Sequence, residues 1–189
     1  MSSLNKHCCT MFVALLAGLA STASALELQE LMKNLSAQKE GRARFVEQKT
    51  LSVLSMPIES RGELSFKSPD FLQKKTTQPI QETLTVERDR VILNRGGKEQ
   101  VIQLDTQPEM RAFIDSLRAT LSGDLPTLKK SFLVKLSGPA SKWTLSLRPL
   151  SANLQRILVE VSIQGRNSEI LHIETSMLNG DRTFLTLVN

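Results

Sequence analysis

The 189-residue chain contains no tyrosine, one tryptophan, two cysteines and two histidines. Each scarcity removes a class of function. Both cysteines, Cys8 and Cys9, precede an apolar run from Met11 to Ala20. The remaining sequence therefore cannot use the disulfide framework common in small secreted domains. Beyond that run the one histidine is His172, so neither a cysteine nucleophile nor a zinc site of His and Cys ligands can be assembled. His172 lies between Leu171 and Ile173 in an alternating run, the setting of a strand histidine satisfied by a neighbour. No Gly-x-Ser-x-Gly turn supplies it with a nucleophile. Ser36 and Lys39 match a Ser-x-x-Lys pattern, but the Lys-Thr-Gly that accompanies it in penicillin-recognising enzymes is missing. No catalytic group, cofactor or metal is assigned, and an enzyme is not expected.

Long apolar runs are also lacking. No stretch reaches the roughly 18 apolar residues of a membrane-spanning helix. Seven prolines and nine glycines are too few for a disordered or collagen-like chain. The 24 Lys and Arg exceed the 19 Asp and Glu, a net charge of +5. They are interleaved with acids, as from Glu87 to Arg90, and the local doublets are Lys74-Lys75 and Lys129-Lys130. With so few aromatic platforms, a nucleic-acid partner is not expected.

The sequence opens with an export pattern. Lys6 and His7 precede the apolar run, and Ala23-Ser24-Ala25 forms a small-x-small cleavage site. Residues 1–25 read as a cleaved signal peptide. Leu26 stands where a lipid-anchored protein would need a cysteine. Residues 26–189 are expected to form a single exported, soluble, unanchored domain, in keeping with a bacterial periplasm.

Periodicity gives the elements. Leu28, Leu31, Met32 and Leu35 recur at helical spacing, closed by Gly41. Between Ile58 and Lys67 the period becomes two, and Leu84 and Val86 repeat it. A second helix follows Thr106-Gln107-Pro108-Glu109, which reads as a capping box. Its stripe is Met110, Phe113, Ile114, Leu117 and Leu121, stopped by Gly123. Alternation then resumes through Phe132–Leu136, Trp143–Leu147, Ile157–Ile163 and Arg182–Val188, with Asn179-Gly180 as the strongest turn signal. Ten or eleven strands with short connections imply a curled antiparallel meander with two main helices.

Several segments in this order resemble a known family. They are the N-terminal helix, Phe45-Val-Glu-Gln48, Gly62-Glu-Leu-Ser-Phe-Lys-Ser-Pro69, Pro79, the helix around Leu117 to Asp124, and Trp143 to Pro149. Their order and spacing resemble the LolA-like periplasmic outer-membrane lipoprotein carriers, as a divergent branch. The resemblance implies a mainly β fold with helices. A single curved antiparallel sheet, an open and unclosed β-barrel, would carry the helices as a lid over its concave apolar face. It also implies transport of acyl chains without any reaction. Two positions depart from the family pattern. Ser68 stands where the carriers place a basic residue before the proline, and Lys74 stands near an expected aromatic, while Phe71 and Leu72 keep apolar character there.

The leading expectation is a soluble periplasmic carrier or chaperone for lipoprotein or other acylated lipid cargo, working between an inner-membrane donor and an outer-membrane acceptor. The residues expected to meet the acyl chain are Leu64, Phe66, Phe71, Leu72, Leu84, Val86, Trp143 and Leu145 on strands, with Phe113, Ile114 and Leu117 on the lid. Plain core packing is an equally good account of any one of them. The alternative function is an exported protein–protein interaction module whose closed core holds no ligand.

Overall fold

The fold is that of a computed structural model, which describes residues 27–188. The expected signal peptide lies outside the described residues. The first meander is β1 (Glu40–Thr50), β2 (Ile58–Lys67), β3 (Phe71–Gln78), β4 (Glu82–Glu87), β5 (Arg90–Arg95) and β6 (Lys98–Gln103). The second is β7 (Phe132–Ser137), β8 (Trp143–Pro149), β9 (Leu158–Arg166), β10 (Glu169–Met177) and β11 (Arg182–Val188). Between them lie a 3-10 turn (Leu104–Thr106), α2 (Pro108–Ser122) and α3 (Leu125–Ser131). Helix α1 (Leu28–Ser36) precedes β1, and the short α4 (Ala152–Gln155) joins β8 to β9.

All eleven strands belong to one sheet, ordered β6-β5-β4-β3-β2-β1-β11-β10-β9-β8-β7. Every neighbouring pair is antiparallel. Short turns make consecutive strands neighbours, with one exception. β6 and β7 are consecutive strands yet form opposite edges of the sheet, because the helical segment between them crosses the whole inner face. β6 and β7 do not pair with each other, so the barrel stays open. The two meanders join where β1 pairs with β11, from Arg44 opposite Val188 to Thr50 opposite Arg182.

Buried rows fill the inner face at the β7–β10 end. Leu136, Leu145, Ile163, Ile173 and Leu185 stand directly opposite one another across five strands. The first four, with Trp143, Leu147, Val161 and Phe132, pack against Leu31, Met32 and Leu35 of α1, Ala119 of α2 and Leu128 of α3. Trp143 has no exposed surface, and its Nε1–H donates to the Asn167 carbonyl at 2.9 Å. Its ring occupies the space that a side chain at Gly165 would need.

Three local readings change. Gly41 does not close α1, which ends at Ser36 with Ala37 as C-cap; it lies in β1 opposite Phe66, whose ring takes the room of its missing side chain. Thr106 does not cap α2. Gln107 holds that position, Pro108 begins the helix, and the Thr106 hydroxyl donates to the Gln103 carbonyl instead. Ile157 and Val159 are exposed, and Leu158 is the buried residue. A register shift between Ser176 and Met177 on β10 changes which residue faces inward. Gly123 does stop α2, at φ +70°, and an added Cβ there would collide with the Met32 carbonyl of α1.

Candidate functional site

The other half of the inner face is graded rather than filled. Its first row, nearest α2, runs Gly41, Phe66, Leu72, Val86, Val91 and Ile102 across six strands. Val86 and Val91 are buried there with Leu104 and with Ile114 of α2. The second row is Ala43, Leu64, Lys74, Leu84, Leu93 and Gln100. Leu64, Lys74, Leu84 and Leu93 are half-buried. The third row, Phe45, Gly62, Thr76, Glu82, Arg95 and Lys98, turns polar toward the β6 edge, where Arg95 and Lys98 are exposed. The sheet thus forms a trough, apolar under α2 and progressively open and charged away from it.

Helix α2 is covered on two sides. Ile114 and Met110 face the trough cluster, and Phe113 touches both clusters. On another side Ser116, Ala119 and Thr120 are buried. Their hydroxyls are satisfied within the helix, Ser116 Oγ on the Phe113 carbonyl at 2.6 Å and Thr120 Oγ1 on the Ser116 carbonyl at 2.8 Å. These small residues let α2 lie close to its neighbours.

Two arginines fasten α2 to the rim. Arg118 Nη2 donates to the Asp70 and Arg88 carbonyls, each at 2.7 Å, reaching the β2–β3 and β4–β5 turns together. Its Nε is buried without a hydrogen-bond partner among the described residues. Arg111 Nη1 donates to Asp89 Oδ1 at 2.9 Å. At this rim of strand-end turns the lid is held by polar contacts, in addition to the packing of its two covered sides. Beside the latch, a void of about 10 Å³ lies between Phe66, Phe71, Leu72, Arg118 and Leu121. It holds one water at most, so α2 is closed down on the trough there.

One polar group stands on the apolar floor. Lys74 Nζ contacts both Glu47 carboxylate oxygens at 2.6 Å and lies 5.1 Å from the centre of the Phe45 ring. Ser60 Oγ donates to Glu47 Oε2 at 2.9 Å. The pair joins β3 to β1 across β2. Gly62, opposite Phe45, lets β3 approach closely, since the Lys75 carbonyl lies where its side chain would begin.

The expected site residues separate into two groups. Leu64, Phe66, Leu72, Leu84 and Val86 share the trough face with Phe113 and Ile114, and Leu117 is half-buried one turn further along the lid. Phe71 stands at the strand end opposite Lys67 and Glu87, beside the small void. Trp143 and Leu145 are not brought to the trough; they sit fully buried in the filled half. His172 is on the opposite face of the sheet, stacked on Phe184 at 5.3 Å and within 3.2 Å of the Thr186 hydroxyl. Sequence reasoning missed the Lys74–Glu47 pair and the Arg118 latch. Lys74 alternating with Leu72 was the available signal for the first.

Perturbed carboxyls lie elsewhere. Hydrogen bonds from Thr127, side chain and backbone, hold the Asp124 carboxyl below its usual range, and this residue caps α3. The Ser52 backbone N–H and the Asn179 side chain do the same for Asp181 in the turn before β11. None of the described helices is long and apolar enough to cross a membrane.

A family model described as outer membrane lipoprotein carrier protein LolA-like matches residues 20–188. The chain belongs to the LolA-like family. No curated protein matches it. Among solved structures, a LolA superfamily protein from Nitrosomonas europaea is similar at 8% identity and TM-score 0.45, over 87% of this chain and 92% of that one. A DUF1329 family protein from Desulfovibrio piger is similar at 9% identity and TM-score 0.45, over 86% and 89%. LprF from Mycobacterium bovis is similar at 11% identity and TM-score 0.31, over 86% and 91%.

Proposed function

We propose that this LolA-like protein is a periplasmic carrier that shields the acyl chain of a lipoprotein or related lipid on its way to the outer membrane. The observation that carries the reading is the half-buried row Leu64, Leu84 and Leu93, beneath a helix whose rim contacts are polar. Each methylene moved from water to that face contributes about 0.8 kcal/mol, which is ample for holding a fatty chain and needs no covalent step. Release of the Arg118 and Arg111 contacts would lift α2 from the floor. The chain would then lie along the first and second rows, between Phe66, Leu72, Leu84 and Val86 below and Phe113, Ile114 and Leu117 above. An inner-membrane donor would load it and an outer-membrane acceptor would unload it.

The small void beneath α2 favours a second reading, an exported interaction module whose core holds no ligand. Extraction of gently purified protein for bound lipid, followed by titration with a fluorescent acyl probe, separates the two. Co-purified lipid and saturable probe binding support the carrier. Absence of both supports the interaction module.

A further inference from the structure

We propose that the trough takes an amphiphile with an anionic head, a carboxylate or a phosphate, and that Lys74 is the group that receives it. This rests on the carrier reading and names its class of cargo. Lys74 stands between Leu64 and Leu84 in the row that lines the trough, two residues along β3 from Leu72. Its side chain is 29% exposed and that of its partner Glu47 is 14% exposed. An ion pair this withdrawn from water loses hydration that its attraction only partly restores, so a pair of apolar side chains would hold the sheet at least as well. Its position suits recognition instead. The lysine keeps enough exposure to meet a ligand, while Glu47 is the more buried member and is itself held by Ser60.

The surrounding charge points the same way. Across the second and third rows of β1–β6 the charged residues are Lys74, Arg95 and Lys98 against Glu82, and Glu47 in the next row is the counter-ion of Lys74. Glu82 pairs with Arg95, so these rows keep one cation in excess, Lys98. The apolar row lies under α2 and the cations lie away from it, which is the polarity of a tail and its head. An acyl chain lying under Phe113 and Ile114 would bring its head to Lys74. There an ammonium shared between Glu47 and the ligand, flanked by the Phe45 ring, stabilises an anion. A neutral head would leave the pair undisturbed and gain nothing from it.

The test compares three probes of equal chain length: a fluorescent fatty acid, its methyl ester, and the corresponding monoalkyl phosphate. The unchanged protein should bind one or both anions about tenfold more tightly than the ester, roughly the contribution of one charge-assisted hydrogen bond. Their ranking tells carboxylate from phosphate. Lys74→Met should abolish the preference and keep ester binding, whereas Glu47→Gln should enlarge it by freeing the lysine. Thermal unfolding of each variant establishes that it is folded, and Glu47→Gln decides the matter alone if Lys74→Met is not. Equal binding of ester and anions, or a preference that Glu47→Gln does not enlarge, overturns this inference and leaves the carrier standing. If none of the three probes binds, the carrier reading falls and this inference falls with it.

Discussion

The inner faces of β7–β10 and of β2–β5 are built by the same alternation of apolar and polar residues, yet they end in different states. At the β7–β10 end, α1, α3 and the second side of α2 bring Leu31, Met32, Leu35, Leu128 and Ala119 down onto Trp143, Leu145 and Leu147, and no exposed apolar surface remains among them. At the β2–β5 end only α2 comes down. Its stripe covers Val86 and Val91 but leaves Leu64, Leu84 and Leu93 half-buried. The difference lies in how many helices each half receives and in the strands themselves, since the inner rows of β2–β5 turn polar at Lys74, Thr76, Glu82 and Arg95 while those of β7–β9 stay apolar. One half anchors the fold, and the other is the half that the proposed carrier role assigns to the ligand.

The largest effects should fall on the anchoring half. Trp143→Ala removes a fully buried indole and its hydrogen bond to Asn167. It should cost about 3–5 kcal/mol of stability, measured by urea unfolding, while acyl-probe affinity of the folded fraction stays unchanged. A loss of probe affinity matching that of the trough variants would erase the division.

The latch comes next. Arg118→Ala deletes two hydrogen bonds from a charged group to the rim carbonyls. It should cost about 2 kcal/mol and accelerate probe association in stopped-flow mixing, because α2 lifts more easily. Unchanged association would show that α2 does not gate the trough.

A trough variant sharpens the contrast. Leu84→Ala removes a half-buried side chain, so it should cost about 1–2 kcal/mol, less than a fully buried leucine. Probe affinity should nevertheless fall several-fold. Stability and affinity thus move in opposite order at Leu84 and Trp143, which a uniform core would not produce.

The smallest effect belongs to a cap remote from the trough. Asp124 accepts from the Thr127 N–H at 3.0 Å, and Asp124→Ala should cost about 1 kcal/mol at neutral pH. Its carboxyl is lowered in the folded protein from an ordinary 3.8. The contribution is therefore complete above that value and is lost as pH falls through the lower folded value. The gap between parent and variant in thermal unfolding should close only in that acid range.

Much of this architecture was legible before any coordinates. Strands such as Ile58–Lys67 and Trp143–Pro149 and the stripe of α2 follow from side-chain period alone, because the period is local. The joining of β1 to β11 is not local, and neither is the register shift that buries Leu158 in place of Val159. The site was half legible for a related reason. Alternation places Leu145 and Leu84 alike on an inner face, but whether a helix then fills the space above them depends on the β6–β7 crossover. Lys74 was hidden because a lysine in an alternating run reads as solvent-facing. Only the pairing with Leu64 and Leu84 puts it on the floor.

Hydrogen exchange with and without a saturating fatty-acyl ligand tests the division of the sheet most directly. Backbone protection should rise in β2–β5 and in α2 and should not change in β7–β9 or α1. Protection that rises in β7–β9 instead, or spreads evenly over both halves, would contradict it.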